Sequence, residues 1–246
     1  MPFTFSHPAI ILPLKYLSKS WFSTTALIIG SLTPDFEYFL RMKVKSDYSH
    51  TFAGIFWFDL PLALLLTFIF HNIIRNLLFR NLPSFIQNRV LIFTDFNWNL
   101  YFKKKWFIVL ISLIIGIVSH LFWDAFTHNH GYFVNEIAIL RNTISVFGIE
   151  IPIWKIAQHS STFIGSIIII IAFLKLHQDL TFKISIDKLY WGAVTLFTFG
   201  ISCIRFIGNP KALHIGNLIV SFIGSFLLAI TIIPLLIKFR SVLKNW

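Results

Sequence analysis

Ser119-His120-Leu121-Phe122-Trp123-Asp124-Ala125-Phe126-Thr127-His128-Asn129-His130 closes a long apolar run, and its polar groups recur at 120, 124 and 128. A helix turns every 3.6 residues, so positions i, i+4 and i+8 share a face, and two imidazoles flank one carboxylate on a single stripe. Neutral imidazoles and ionised carboxylates are ligands for divalent metals. A rise of about 1.5 Å per residue sets His120 and Asp124 about 6 Å apart along the axis, and His120 and His128 about 12 Å apart. The stripe therefore suits one metal at His120 and Asp124, or two metals with Asp124 between them. Ionisable groups within a membrane span are costly and mark function. The plainer reading is a helix end whose histidines sit in the interfacial zone.

The elements that must position this stripe follow from composition. Of 246 residues, 56% are hydrophobic and 13% charged, and the mean hydropathy is +0.75, too apolar for a soluble domain that must clothe its core in polar surface. The chain reads as an all-α, multi-pass transmembrane helical bundle of about five spans. Its formal charge of +11 comes from 21 Lys and Arg against 10 Asp and Glu. The basic residues gather between apolar runs, where they report topology and not nucleic-acid binding. Cys203 is the single cysteine, so no intramolecular disulfide is expected. The opening MPFTFSHPAIILPLKYL has no early positive charge and no small-residue cleavage site, and reads as mature protein. No repeat or linker separates a second domain, so residues 1–246 read as one membrane-embedded domain.

Five apolar stretches, at about 51–70, 106–126, 160–174, 189–207 and 213–237, are the expected spans. The run from Thr24 to Leu32 offers only about ten residues before Thr33-Pro34-Asp35-Phe36-Glu37, short of the ~20 a span needs, so the N-terminal part is expected to be re-entrant or interfacial. In the first span, Pro61 removes a backbone donor and should kink the helix, while Asp59 must face protein or water. Arg75, Arg80, Arg89, Lys103, Lys104 and Lys105 against Asp95 place the 71–105 connection in the cytoplasm. Lys175, Lys183 and Lys188 do the same for the next inner loop, and Lys238, Arg240 and Lys244 for the C-terminus.

With orientation fixed by those charges, His50, the 120–130 stripe and His159 are all expected at one face, the extracytoplasmic one. His71, His177 and His214 fall elsewhere. His7, Asp35, His50, His120, Asp124, His128 or His130, and His159 supply more ligands than one tetrahedral ion requires, which suggests two or three divalent ions. With no thiolate among them, zinc, manganese and iron are all admissible, and the histidine-rich mixture leans to zinc.

The residues MPFTFSHP, Gly30-Ser31-Leu32-Thr33-Pro34-Asp35-Phe36-Glu37-Tyr38, His50-Thr51, Phe58-Asp59-Leu60-Pro61 and Ser119 to His128 resemble an uncharacterised family of bacterial multi-pass membrane proteins. The resemblance implies a relation to inner-membrane proteins described as metal-dependent hydrolases. A more distant similarity, in ligand order, is to the secreted zinc-dependent phospholipases C and single-strand nucleases, helical enzymes with a three-zinc cluster. That resemblance implies ligand roles for His7, Asp35, His50, His120, Asp124, His130 and His159, and His130 fits its spacing better than His128. The secreted enzymes also use an N-terminal Trp, where this chain has Met1-Pro2, and a Glu four residues after the last His, where it has Phe163. A two-metal site survives both departures.

The leading expectation is a membrane-embedded, metal-dependent hydrolase, acting at the extracytoplasmic face of the cell membrane on a phosphoester of a lipid or lipid-linked substrate. Glu37 is a candidate catalytic base or a partner that hydrogen-bonds a metal ligand, and Arg41 a candidate phosphate contact. The alternative is a metal-binding or transport membrane protein without hydrolytic activity. Transporters place their sites near the bilayer midplane, whereas these ligands are expected at one mouth. The third reading, a structural membrane protein without a site, requires so many ligands to share a face by coincidence.

Overall fold

The computed structural model describes residues 3–17, 21–182, 185–207 and 214–244, and among them helix dominates. Lys183 and the expected start of the last span at residue 213 lie outside the described residues, as do Met1 and Pro2. Among the described residues, five helical stretches are long and apolar enough to cross a membrane: Phe52–Arg80, Trp98–Glu136, Ile153–Leu174, Lys188–Phe206 and Ile215–Phe239. They coincide with the five expected from hydropathy. The Thr24–Leu32 helix has 9 residues, about 13 Å of rise, against a hydrocarbon core of about 30 Å. It runs on without a break through the Thr33–Asp35 turn into Phe36–Arg41.

The interruptions have local causes. Pro61 lacks an amide, and the turn before it, Ile55–Asp59, is a π-helix in which the Leu60 amide reaches back to the Ile55 carbonyl. The expected break at Pro61 is thus taken up as a wide turn. Asp59, at the end of that turn, is buried. A second π turn, Phe70–Ile74, follows in the same stretch. Inside Trp98–Thr127, Lys105 leaves the helical region at φ −133° and ψ 25°, just before the apolar run begins at Trp106.

The chain packs as two compact units. The first comprises Met1–Asp35, Tyr48–Leu64 and Lys105–Lys175. Within it, the Thr24–Leu32 helix crosses the Trp98–Thr127 helix in backbone contact: a Cβ on Gly30 would strike the Leu113 carbonyl, and one on Gly116 the Leu27 carbonyl. Small residues allow such an approach, as at membrane helix crossings generally. The Ser23 amide donates to Ser112 Oγ at 2.9 Å and pins the start of the shorter helix. On another side, Gly165 of the Ile153–Leu174 helix admits the Thr4–Ser6 turn, because a Cβ there would lie 2.9 Å from the Ser6 carbonyl. The Phe3 amide donates to Thr162 Oγ1 at 3.1 Å in the same contact. The unit also carries a two-stranded antiparallel hairpin, Thr143–Val146 with Ile149–Pro152.

The second unit comprises Phe36–Asp47, Leu65–Lys104 and Leu176–Trp246. Its apolar core gathers Ile74, Tyr190, Val194, Ala229, Ile230 and Ile233. The Lys188–Phe206 and Ile215–Lys244 helices meet there and share a hydrogen bond between Ser202 Oγ and Ser225 Oγ at 3.1 Å. The Trp191 indole donates to the Asn81 carbonyl at 2.6 Å.

Candidate metal centre

Four segments of the first unit deliver the ligands. His120 and Asp124 lie one turn apart on Trp98–Thr127. Asp35 ends the Thr33–Asp35 turn after the short helix. His50 immediately precedes Thr51, which caps the next helix by accepting the Gly54 amide at 2.9 Å. His7 leads into Pro8–Ile11, with Pro8 at the first helical position, where its missing amide costs nothing.

Asp35, His50, His120 and Asp124 each offer an atom within 4.8 Å of the others, a group that can hold a metal ion. His120 Nε2 stands 3.6 Å from Asp35 Oδ1 and 3.4 Å from Asp124 Oδ2. His50 Nε2 stands 3.8 Å and 3.5 Å from the same two oxygens. Ligands about 2.1 Å from a tetrahedral ion are about 3.4 Å from one another. Hydrogen bonds between nitrogen and oxygen run about 2.7–3.2 Å. The four edges match the first geometry and miss the second.

His120 Nδ1 lies 2.8 Å from the Ser31 carbonyl, and a carbonyl only accepts, so that nitrogen carries the hydrogen. Nε2 is left facing two carboxylate oxygens. A cation among these groups, a proton on Nε2 or a metal ion, joins acceptors that would otherwise repel one another. Asp35 Oδ1, His120 Nε2 and both oxygens of Asp124 are buried without a hydrogen-bond partner.

The surrounding contacts orient the ligands. Thr4 Oγ1 donates to Asp35 Oδ2 at 2.6 Å and leaves Oδ1 toward the cluster. Ser49 Oγ lies 2.9 Å from His50 Nδ1, which turns Nε2 inward. The His7 ring stacks on His120, with centroids 3.7 Å apart and planes at 16°. Its Nε2 is 3.6 Å from Asp124 Oδ1, and His128 Nδ1 is 3.5 Å from the same oxygen. The two oxygens of Asp124 thus face two sets of imidazoles. Burial, reinforced by His120 alongside, pushes the His7 pKa down to about 3, so at neutral pH His7 is a neutral imidazole able to act as a ligand.

The remaining expected site residues lie elsewhere. His130 is exposed in the turn after Thr127, and His159 is exposed on the Ile153–Leu174 helix. Neither joins the four-residue group. Glu37 is buried and belongs to the second unit, where Oε1 accepts from Arg41 Nε at 2.8 Å and the Asp47 amide at 2.9 Å, and Oε2 from Ser46 Oγ at 3.1 Å. Arg41 Nη2 also pairs with Asp47 Oδ2 at 3.2 Å. Glu37 and Arg41 together tie down the 36–47 segment. Sequence reasoning missed Thr4, Ser49 and the Ser31 carbonyl; a hydroxyl within three residues of His7 or His50 was the available signal, and a backbone carbonyl leaves none.

No curated protein and no solved structure matches the chain. Its residues 1–235 match the family described as a domain of unknown function, DUF4184, and the chain belongs to that family.

Proposed function

We propose that the chain is a membrane-embedded, metal-dependent hydrolase acting on a phosphoester of a lipid or lipid-linked substrate at the extracytoplasmic face. The observation that carries this reading is the set of 3.4–3.8 Å separations among two imidazole nitrogens and two carboxylate oxygens that no hydrogen bond explains. Asp35, His50, His120 and Asp124 would hold one divalent ion, zinc fitting the His-rich set best. Asp124 Oδ1 and His7 Nε2 stand beside that set and would start a second position, whereas His128 Nδ1 is engaged with the Asp124 carbonyl at 3.1 Å. Bound metal would supply Lewis acidity toward a phosphoryl oxygen and toward water. The chain's part is to fix Asp124 between the two positions, to hold Asp35 and His50 through Thr4 and Ser49, and to exclude bulk water by burial.

A lipid substrate is supported by the apolar span that carries His120 and Asp124, and the extracytoplasmic side by the basic 71–105 segment. Protein purified without chelator is expected to carry more than one equivalent of divalent metal and to hydrolyse phosphoesters in a panel of phospholipids and lipid-linked phosphates. In right-side-out membrane vesicles, a membrane-impermeant chelator added outside should stop the reaction, and added metal should restore it. Metal-replete protein with no turnover across the panel sinks the phosphoesterase reading and leaves metal binding or transport. Inhibition only after permeabilisation reverses the assigned side.

A further inference from the structure

The connection between the Trp98–Glu136 and Ile153–Leu174 stretches carries the hairpin of Thr143–Val146 and Ile149–Pro152. Its register sets Ile144 opposite Ile151 and Val146 opposite Ile149. Opposed residues of an antiparallel pair share a face, and neighbours along a strand alternate. One face of the hairpin is therefore four aliphatic side chains, and the other is Thr143, Ser145, Glu150 and Pro152. Ile144, Val146 and Ile149 are each more than a third exposed, so the chain leaves the apolar face largely uncovered. Phe147 and Gly148, at the tip, have φ +50° and +79°, positive at both central positions as in the type I′ turn, which favours Asn-Gly. A bulky residue in the left-handed region is strained, and the Phe147 side chain is wholly exposed. Packing within the chain thus does not account for a phenylalanine where asparagine would suit the backbone. A medium outside the chain that takes up the ring does.

The hairpin is rooted at a span. The Ile153 amide donates to the Asn142 carbonyl at 2.9 Å, so both strands leave from the first residue of the Ile153–Leu174 helix. That helix has 22 residues, a rise of about 33 Å against a hydrocarbon core of about 30 Å. Its start therefore lies at the headgroup boundary, and any tilt brings it closer to the core. Trp154 and Lys155 open the helix, and exposed Tyr132 and Arg141 precede the hairpin, aromatic and basic residues of the kinds that sit among headgroups. Two strands alone leave unpaired backbone groups along both outer edges, which exclude the hairpin from the hydrocarbon core but not from the wetter headgroup layer. Its apolar face and tip fall well short of the ~800 Å² that each partner buries in a specific protein interface.

We propose that the 143–152 hairpin is a membrane anchor that lies in the headgroup layer of the adjoining leaflet. Ile144, Val146, Phe147 and Ile149 turn toward the acyl chains, and Ser145 and Glu150 turn toward water. The anchor rests on the spans that flank it, and neither a metal ion nor a hydrolytic reaction enters the argument.

The test uses the full chain with its exposed cysteine removed by Cys203→Ser and a nitrobenzoxadiazole dye attached at Phe147→Cys, Ile149→Cys or Ser145→Cys. Each labelled protein is reconstituted into vesicles of phosphatidylcholine and phosphatidylglycerol. An amphipathic element at the interface buries its apolar face about 5–10 Å into the headgroup and acyl boundary. Lipid carrying a doxyl group just below the headgroup should therefore quench the dye at 147 and 149 several-fold more than at 145. Iodide present on both sides of the membrane should give the reverse order. Phe147→Asn, which suits the turn, should lower doxyl quenching at 149 several-fold and so tests the anchor without a label at the tip. Equal doxyl quenching at the three positions with free access to iodide overturns the anchor, as does quenching at 149 that Phe147→Asn leaves unchanged. Protection from both quenchers that is lost when the protein is diluted in lipid assigns the face to a second copy of the chain and overturns the lipid as its partner.

Discussion

Two buried histidine clusters in this molecule look alike by composition and differ in their distances. In the second unit, His71 stacks on Trp98 with centroids 4.5 Å apart and planes at 7°, and its Nδ1 lies 2.9 Å from Arg75 Nη1. Arg75 donates further to the Phe96 carbonyl at 2.8 Å, the Thr94 carbonyl at 2.7 Å and Asn76 Oδ1 at 2.8 Å. A guanidinium only donates, so His71 accepts, and each of these polar contacts joins a donor to an acceptor at hydrogen-bond length. In the first unit, the nitrogens and oxygens of His50, His120, Asp35 and Asp124 stand 3.4–3.8 Å apart. One set is closed by its own hydrogen bonds; the other is spaced as a group that can hold a metal ion. A buried histidine is therefore weak evidence for a metal, and the separation of its neighbours is stronger evidence.

The sharpest test sets one substitution in each cluster against the other. Asp124→Ala removes a carboxylate of the four-residue group and should weaken metal binding by more than about 100-fold, beyond the 10–100-fold typical of losing a residue that only supports a ligand. Arg75→Ala should leave metal stoichiometry intact and lower thermal stability in detergent, since it strips the Thr94 and Phe96 carbonyls of a donor at about 1–3 kcal/mol each. Metal content by mass spectrometry and melting by intrinsic fluorescence read both arms. Equal metal loss in two folded variants would erase the distinction.

Much of the first cluster was legible in the sequence because helix periodicity alone places His120 above Asp124, and charge asymmetry alone groups His50 with them. Asp35 was legible as a carboxylate just past a run too short to span. What linear spacing could not convey was which way a side chain turns. His159 follows Gln158, which with Gly165 marks the buried face of its helix, and one step along a helix rotates a side chain by about 100°. That step leaves His159 exposed. His130 lies past the helix end, where Gly131 folds against the Ala125 carbonyl, and no periodicity governs it. The backbone contact through Gly30 and Gly116, which brings the Ser31 carbonyl to His120, needs two helices at once and has no signature in either.

A smaller effect is expected from the hydroxyls that steer ligands. Thr4→Val keeps the shape of the side chain and deletes the 2.6 Å donor to Asp35 Oδ2. Asp35 is then free to rotate, and metal affinity should fall about 10–100-fold. Titration with a competing chelator measures this directly. Unchanged affinity would mean that packing holds Asp35 without Thr4, and the cluster would resemble the His71 network in being fixed by its surroundings.

The smallest effect on metal is expected at Glu37, whose geometry belongs with the closed cluster. Its carboxylate accepts from Arg41, Ser46 and the Asp47 amide. Glu37→Gln keeps the length but replaces one acceptor oxygen with a donor, which Ser46 Oγ can accept once its hydroxyl turns, while the charge opposite Arg41 is lost. Losing that charge-assisted bond costs about 1–3 kcal/mol of stability, while metal stoichiometry should not change. Turnover normalised to metal-bound protein is the discriminating readout. A positioned general base contributes about 10²–10⁴ in rate, so a loss in that range at full metal content would assign Glu37 the catalytic role its place in the sequence suggests. A loss below tenfold, the outcome expected from three satisfied hydrogen bonds, makes it the anchor of the 36–47 segment and leaves base chemistry to the metal centre.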